Sequence, residues 1–298
     1  MSDREAEVLK ILKSSSQISR FKEFLKKMLH HRKALAGLII LFSLVLIAVV
    51  GYFAAPYNPF STNAPPFQPP TRQHLLGTDY LGEDVLSWFL IGTGTSLFVG
   101  FSIAIISAFI GVLVGVTAGY FGGQVDNVLM RIVDVLLVIP GFPLLVILSA
   151  FLPPTLETTI IVLSILSWPF LSRVIRSQTL SLKQRQYVLA SKLSGLSGFQ
   201  IIFRDIIPNL IPIIFINVIF LAVAGVVAQA GLAFFGLGDL RSVNWGTMLY
   251  WFEAEDGIVY NAWWWLIPPG LGIVALGIGA NFLGNAVYEL TQPSRGGQ

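Results

Sequence analysis

Long apolar segments alternate with shorter polar segments along the whole chain. A helix needs about 20 apolar residues to cross a bilayer, and most of the apolar segments reach that length, although the fourth is shorter. We predict six transmembrane helices in an all-α polytopic membrane protein, and they cover residues 34–54, 93–119, 128–152, 158–171, 206–237 and 264–286.

The composition supports the same class. Hydrophobic residues make up 54% of the chain and charged residues only 12%, against about 25% charged residues in soluble domains. The formal net charge of +3 does not indicate nucleic-acid binding, because the basic residues lie where membrane topology would place them. The chain has no Cys, and its three His residues have no partner cluster. We therefore expect no metal and no cofactor in this chain.

The basic residues predict the orientation of the spans. All but two of the 19 Lys and Arg residues fall on one side of the proposed topology, and the exceptions are Arg72 and Arg241. By the positive-inside rule this side is the cytoplasm, so both termini are expected there, in a multi-pass protein of the plasma (inner) membrane. The opposite side collects eight acids, which are Asp79, Glu83, Asp84, Glu157, Asp239, Glu253, Glu255 and Asp256.

These spans divide the chain into four parts. Residues 1–33 form a cytoplasmic segment, residues 34–92 hold the first span and an external loop, residues 93–286 form the core of five spans, and residues 287–298 are a cytoplasmic tail. The first part contains an amphipathic helical stripe typical of an elbow in the headgroup layer. The stripe consists of Ile18, Phe21, Phe24, Leu25 and Met28. A disordered basic tail is the alternative.

Several positions within the spans predict packing and bending. Gly111, Gly115 and Gly119 recur every four residues, so they lie on one helix face where a neighbouring backbone could approach closely. Two prolines, at 140 and 143, remove backbone donors and should bend the third span. Arg131 and Asp134 are three residues apart and are expected to pair with each other, and a substrate or ion site is the alternative.

A basic segment over residues 171–208 interrupts the apolar pattern. Its only acid is Asp205, and its six basic residues are Arg173, Arg176, Lys183, Arg185, Lys192 and Arg204. Residues 187–194 are predicted to form a short helix that stops at Gly195, because glycine favours helix termination. A second short helix is expected to carry an apolar stripe of Phe199, Ile202, Phe203 and Ile206. We predict a compact cytoplasmic protrusion that docks a soluble partner.

The residues of this segment resemble the EAA loop of permease subunits in binding-protein-dependent ABC importers. The resemblance rests on Leu189, Ala190 and Ser191, then Gly195, then Ile207 and Pro208. Leu189 stands where the family usually has Glu, and Ser191 where it has Ala. The resemblance implies a type I ABC importer permease fold, with coupling helices within a loop over residues 172–205. It implies an ATPase-coupling site formed by Tyr187, Leu189, Ala190, Ser191, Lys192, Gly195, Ile207 and Pro208.

Further segments resemble the second, C-type subunit of dipeptide, oligopeptide and nickel permeases. They are HLLGTDYLGEDVLS at 74–87, GYFGGQVDNVLMRIVD at 119–134, YVLASKLSGLSGFQIIFRDIIPN at 187–209, GLAFFGLG at 231–238, NWGTML at 244–249 and WWLIPPG at 264–270. Departures from the pattern include Glu83 and Trp88, where the family commonly has Arg. Together these segments extend over most of the chain in order.

This family resemblance implies an assembly. The expected partners are a second homologous permease subunit, two ATP-binding subunits, an extracellular or periplasmic solute-binding protein, and the lipid bilayer. The sequence has no G-x-x-x-x-G-K-[ST] phosphate loop, so ATP and Mg are expected on the partner subunits, and this chain is expected to be non-catalytic. Docking of the solute-binding protein is expected at the external acids Asp79, Glu83, Asp84, Glu253, Glu255 and Asp256, although a solvated loop explains those charges equally well.

The substrate and the class of transporter have alternatives. Peptides are the expected cargo, and oligosaccharides or nickel chelates are the alternatives within the same family. Aromatic residues at 245, 251 and 263–265 could line a sugar path, although Trp is also enriched at membrane interfaces. A secondary transporter or channel would need intramembrane ionisable residues or a selectivity ring, and a membrane enzyme would need a catalytic cluster. The sequence contains neither pattern.

Overall fold

The computed structural model describes residues 28–291. The expected elbow therefore lies, except for Met28, outside the described residues, as does most of the expected C-terminal tail. The described chain is helical, with one isolated β-bridge between Thr78 and Asp84. Its helices are α1 (Arg32–Ala54), α2 (Val85–Phe121), α3 (Gly123–Val138), α4 (Gly141–Phe151), α5 (Leu156–Lys183), α6 (Gln186–Leu193), α7 (Gly198–Ile201), α8 (Ile207–Phe234), α9 (Trp245–Ala254) and α10 (Trp263–Thr291).

The described part of the chain contains enough apolar helix for the predicted spans. Five helical stretches are long and apolar enough to cross a membrane, namely α1, α2, α5, the run from Gly198 to Phe234, and α10. Helices α3 and α4 pass the same test only as a pair, and they meet at an angle of 84°. Counting this pair as one span gives six. The bend falls at Ile139 and Pro140, as the prolines predicted.

Two spans begin or end elsewhere than expected. Helix α2 starts at Val85 rather than at residue 93, because Asp84 caps it by accepting a hydrogen bond from the Ser87 amide. Helix α5 runs to Lys183 rather than ending near residue 171, because a helix need not stop where its apolar part ends. The first twelve residues of the expected loop over 172–205 are therefore helical continuation of a span.

Helix α2 lies at the centre of the bundle and packs closely on α5. A Cβ atom added to Gly115 would lie 2.6 Å from the Ser172 carbonyl oxygen, and one added to Gly119 would lie 2.7 Å from Thr179 Cβ. Gly111 similarly faces the Trp168 carbonyl at 3.1 Å. The predicted glycine face is confirmed, and it brings the two backbones together where lipid offers no hydrophobic drive.

One end of the bundle is covered by a polar cap, which we define as residues 55–84 together with α9. Aromatic rings hold it together, as in the stacked pair Tyr80 and Trp251 with centroids 5.5 Å apart. Trp245 of α9 is fully buried, and its Nε1 donates to Thr93 Oγ1 of α2 at 3.1 Å. Trp264 Nε1 donates to the Thr78 carbonyl at 3.1 Å. The cap is thereby fixed to both α2 and α10.

Candidate functional site

The protrusion, defined here as residues 184–197, joins α5 to α7 and contains the short helix α6. Helix α6 ends at Leu193 with Ser194 as its C-cap, and Gly195 then adopts a positive φ of 80° while its amide donates to the Lys192 carbonyl at 3.1 Å. Glycine enters this left-handed region without the steric cost of a Cβ. The predicted short helix ending at Gly195 is confirmed.

Helix α6 has one face turned into the protein and one turned out. Val188 and Ser191 are buried, and Val188 belongs to an apolar cluster that also contains Ile201, Ile202 and residues of α5 and α8. The opposite face is exposed at the predicted coupling positions Tyr187 (42%), Leu189 (48%), Ala190 and Lys192. Leu193 is 90% exposed, although its sequence position gave no reason to single it out.

The second expected short helix is not a separate element. Helix α7 passes through a π-helical turn, Ile202–Ile206, directly into α8, where Ile207 and Pro208 are half-buried. The wider turn changes the angular spacing of side chains, so the expected apolar stripe is split. Ile202 and Ile206 are buried, whereas Phe199 and Phe203 are 69% and 67% exposed. A surface of exposed apolar side chains therefore lies on both sides of Gly195.

The π-helical turn also holds a buried acid. Asp205 is only 6% exposed, and its Oδ2 has no hydrogen-bond partner among the described residues. Its carbonyl accepts a hydrogen bond from Asn209 Nδ2 at 2.7 Å. Burial raises the pKa of the Tyr187 phenol; the Arg185 charge lowers it and the Asp205 charge raises it. Asp205 thus lies close enough to α6 for its charge to act on the exposed face.

Two arginines of the basic segment are paired with acids of α3. Arg176 forms a bidentate pair with Asp126, with its Nε donating to Oδ1 at 2.7 Å. Arg173 Nη2 lies 2.6 Å from Asp134 Oδ1. The expected pair of Arg131 with Asp134 is therefore wrong, because the longer α5 brings Arg173 alongside α3. The pair at Asp134 is half-exposed, so its contribution to stability is small.

The external acids fall into two groups. Asp79, Glu83 and Asp84 are buried, with exposed fractions of 3%, 4% and 2%. Their carboxylates accept hydrogen bonds from the cap and from the first turn of α2, including two backbone amides of the cap on Asp79 Oδ1 and the indole of Trp88 of α2 on Glu83 Oε2. These three side chains are not available on the surface of this chain for docking. Their hydrogen-bond partners lie within ten positions of them along the chain, but the sequence pattern alone did not show that these carboxylates are buried.

The second group of acids lies around the end of α9. Glu253 and Asp256 are exposed, and Glu255 is partly exposed. Asp256 has a positive φ of 54° in the turn that follows α9. Among the six acids expected at a docking surface, only this group is not buried, so it alone carries forward the prediction of a docking surface for a solute-binding protein.

Two family models match the chain. One describes binding-protein-dependent transport system inner membrane components and matches residues 111–296. The other describes the N-terminal transmembrane domain of oligopeptide transport permease C and matches residues 19–70. The first match covers more than half of the sequence, including the protrusion and the whole of α5 to α10.

The chain belongs to this permease family. Among its relatives is the dipeptide transport system permease protein DppC of Bacillus subtilis, which is 33% identical over 98% of this chain and 90% of the relative. The oligopeptide transport system permease protein OppC of the same organism is 30% identical over 94% of this chain and 92% of the relative. A di/tripeptide transport system permease protein DppC of Pseudomonas aeruginosa is 32% identical over 92% of both.

Family membership identifies the membrane in which the spans of this permease lie. The protein is a multi-pass component of the inner membrane, with α1, α2, α5, α8 and α10 among its spans. Trp245 and Trp265 are buried in the core that joins α9 to α2 and α10. Their rings pack within this core and support the cap.

Proposed function

We propose that this permease is one of two homologous membrane subunits of an ATP-driven importer of peptides. The names of its relatives support this cargo, because they are dipeptide, oligopeptide and di/tripeptide transport permeases. We further propose that two other subunits bind ATP and Mg and hydrolyse the ATP, since this sequence contains no phosphate loop. In this assembly the present chain is non-catalytic and forms half of the passage.

The observation that carries the proposal is the exposed apolar face of α6. Leu193 is 90% exposed and Leu189 is 48% exposed, on a helix whose other face is fixed in the core. Burying one leucine side chain contributes about 1.5–3 kcal/mol, so a partner groove that covers both would gain substantially. We propose that the ATP-binding subunit provides this groove on the cytoplasmic side, a position that the surrounding basic residues support by the positive-inside rule.

Transport would then proceed by alternating access. ATP binding draws the two ATP-binding subunits together, the protrusion moves with its subunit, and the spans change their tilt. A ligand shifts such an equilibrium only by its differential affinity for the two states. The passage should therefore bind its cargo weakly, and a solute-binding protein that docks at Glu253, Glu255 and Asp256 supplies the specificity.

Introducing a negative charge at the exposed leucine tests the coupling surface. Leu193→Glu should abolish copurification of the ATP-binding subunits and peptide-stimulated ATP hydrolysis, because a carboxylate would be buried in an apolar groove. The matched control is Leu75→Glu, which introduces the same charge at a 61% exposed leucine of the cap. Equal loss in both variants, or full assembly of Leu193→Glu, would refute the proposed surface.

The cargo needs a separate experiment. The wild-type transporter, reconstituted in liposomes with its solute-binding protein, should take up labelled di- and tripeptides when ATP is supplied. Labelled oligosaccharide and nickel chelate serve as the competing substrates. Uptake of either of these in place of peptide would correct the substrate while leaving the transporter class intact, and uptake without ATP-binding subunits would contradict the importer itself.

A further inference from the structure

Tyr120, at the cytoplasmic end of α2 in the proposed topology, contacts the chain on the entering side of the protrusion. Lys183 is the last residue of α5 before the protrusion begins. Its Nζ donates a hydrogen bond to the Tyr120 carbonyl oxygen. The same ammonium lies 5.6 Å from the centroid of the Tyr120 ring, within the range of a cation–π interaction.

The same tyrosine also contacts the leaving side of the protrusion. Gly198 begins α7 directly after the protrusion, and a Cβ added there would lie 3.0 Å from Tyr120 Cε1. The ring is half-buried and packs against the cluster that contains Val188 of α6 and Ile201 of α7. The residues that flank the protrusion on its two sides therefore both contact Tyr120 of α2.

Helix α2 is well placed to pass on a displacement received at Tyr120. The preceding residue, Gly119, lies against Thr179 of α5, and the glycine face continues this close contact toward Gly111. Further along α2, Gly100 lies against the Ala222 carbonyl of α8, where an added Cβ would be 2.7 Å away. Backbone contacts this close resist sliding, so α2, α5 and α8 would respond together.

We propose that Tyr120 is a positioning residue that makes the protrusion and α2 move as one rigid unit during transport. This inference rests on the proposed function, because it assumes that an ATP-binding subunit displaces α6. Without the ring, the leaving side would lose its support and the entering side would lose its cation–π contact. The protrusion would then move relative to α2, and part of each displacement would be lost.

The first test measures peptide uptake per ATP hydrolysed in the complete transporter, purified through a tag on this chain and reconstituted in liposomes. Tyr120→Ala should lower this ratio by about threefold to thirtyfold, the range found for residues within coupling networks. Tyr120→Phe keeps the ring and the carbonyl and should match the wild type. Tyr52→Ala, the same change at a 72% exposed tyrosine of α1, should also match it.

The second test measures the rigid unit directly. The chain has no natural Cys, so spin labels can be placed at Ser194→Cys in the protrusion and Phe109→Cys on the exposed side of α2. In the wild-type background their separation should stay constant when nucleotide binds. In Tyr120→Ala it should change on nucleotide binding. A residue that only stabilised the fold would lower the yield of complex without altering this distance response.

The outcomes separate this inference from the proposed function. If the wild-type complex contains ATP-binding subunits and couples ATP hydrolysis to uptake, the proposed function holds. An unchanged coupling ratio in Tyr120→Ala, or a wild-type label separation that changes with nucleotide, would then overturn the role of Tyr120 alone. If Tyr120→Ala yields no complex, Lys183→Met removes the entering contact and should lower the coupling ratio by about threefold; an unaltered ratio there would also overturn the inference.

Discussion

The protrusion and the cap are both charged segments of an apolar chain, but their polar and apolar groups are arranged in opposite ways. In the cap, Asp79, Glu83 and Asp84 are buried and hydrogen-bonded within the chain. In the protrusion, charged groups stay at the surface and leucines are exposed beside them, Leu193 most of all. The cap satisfies its own groups, whereas the protrusion leaves an apolar face uncovered.

This difference separates a structural charge from an interacting surface. A buried carboxylate is retained only where hydrogen bonds or protonation offset the cost of desolvation, so the cap acids report on folding. An exposed leucine at the end of a short, firmly anchored helix has no such internal role. Burial therefore predicts that substitutions in the cap change stability, while substitutions in the protrusion change assembly and coupling.

The largest expected effect is on the cap. Asp84 Oδ2 accepts hydrogen bonds from the Ser87 amide at 2.8 Å and the Ser87 hydroxyl at 2.7 Å, and Oδ1 lies 2.9 Å from His74 Nδ1. Asp84→Ala removes the side chain that caps the N-terminus of α2, and it leaves these buried donors unpaired. We expect a loss of about 2–4 kcal/mol, seen as a lower melting temperature in detergent.

The matched control for this stability loss is another aspartate with an ion-pair partner. Asp134→Ala removes a carboxylate that is 55% exposed and paired with Arg173, and it should cost about 1 kcal/mol or less. Equal melting temperatures for the two variants would show that burial does not distinguish the acids of the cap from those of the surface.

A smaller effect is expected from pH. Burial, together with the neighbouring Asp79 charge, raises the pKa of Glu83 to about 7 from its ordinary 4.5, and burial also raises the pKa of Asp79. The folded cap then binds more protons than the unfolded chain between these two pH values. Stability should therefore be greatest at the acid end and fall as pH rises through about 7, by at most about 1.4 kcal/mol per pH unit for each titrating carboxyl group.

The pH effect can be assigned to one carboxyl group by substitution. Glu83→Gln keeps an oxygen that accepts from Trp88 Nε1 but cannot ionise, so the melting temperature should vary less with pH. Glu253→Gln, at an exposed acid of α9, should leave the wild-type profile unchanged. A wild-type melting temperature that rises between pH 5 and 7.5 would contradict the sign of this prediction.

Hydropathy predicted the spans well because lipid provides no partners for backbone groups, so apolar helices are required. The bend at Pro140 and the helix end at Gly195 were equally predictable, since each follows from the backbone limits of a single residue. Both features appear where the sequence placed them.

The features that the sequence did not predict depend on distant partners. Arg173 pairs with Asp134 across 39 positions, and Lys183 reaches Tyr120 across 63. The π-helical turn Ile202–Ile206 carries no residue that marks it, and it split a stripe that regular helical spacing had placed on one face. Tertiary packing determines which candidate residues are exposed on the surface.

Reversing the charges around the end of α9 is expected to have the smallest effect on stability. Outside the protrusion, the same change is expected to have the sharpest effect on function. Glu253 and Asp256 are exposed, so Glu253→Lys with Asp256→Lys should change stability by less than about 0.5 kcal/mol. If the solute-binding protein docks there, reversal of both charges should raise its half-saturating concentration in ATPase assays, most strongly at low salt where screening is weak. Glu157→Lys is the control, because Glu157 is an exposed acid at the start of α5. An unchanged half-saturating concentration in the double variant would place docking on other residues and leave α9 as part of the cap alone.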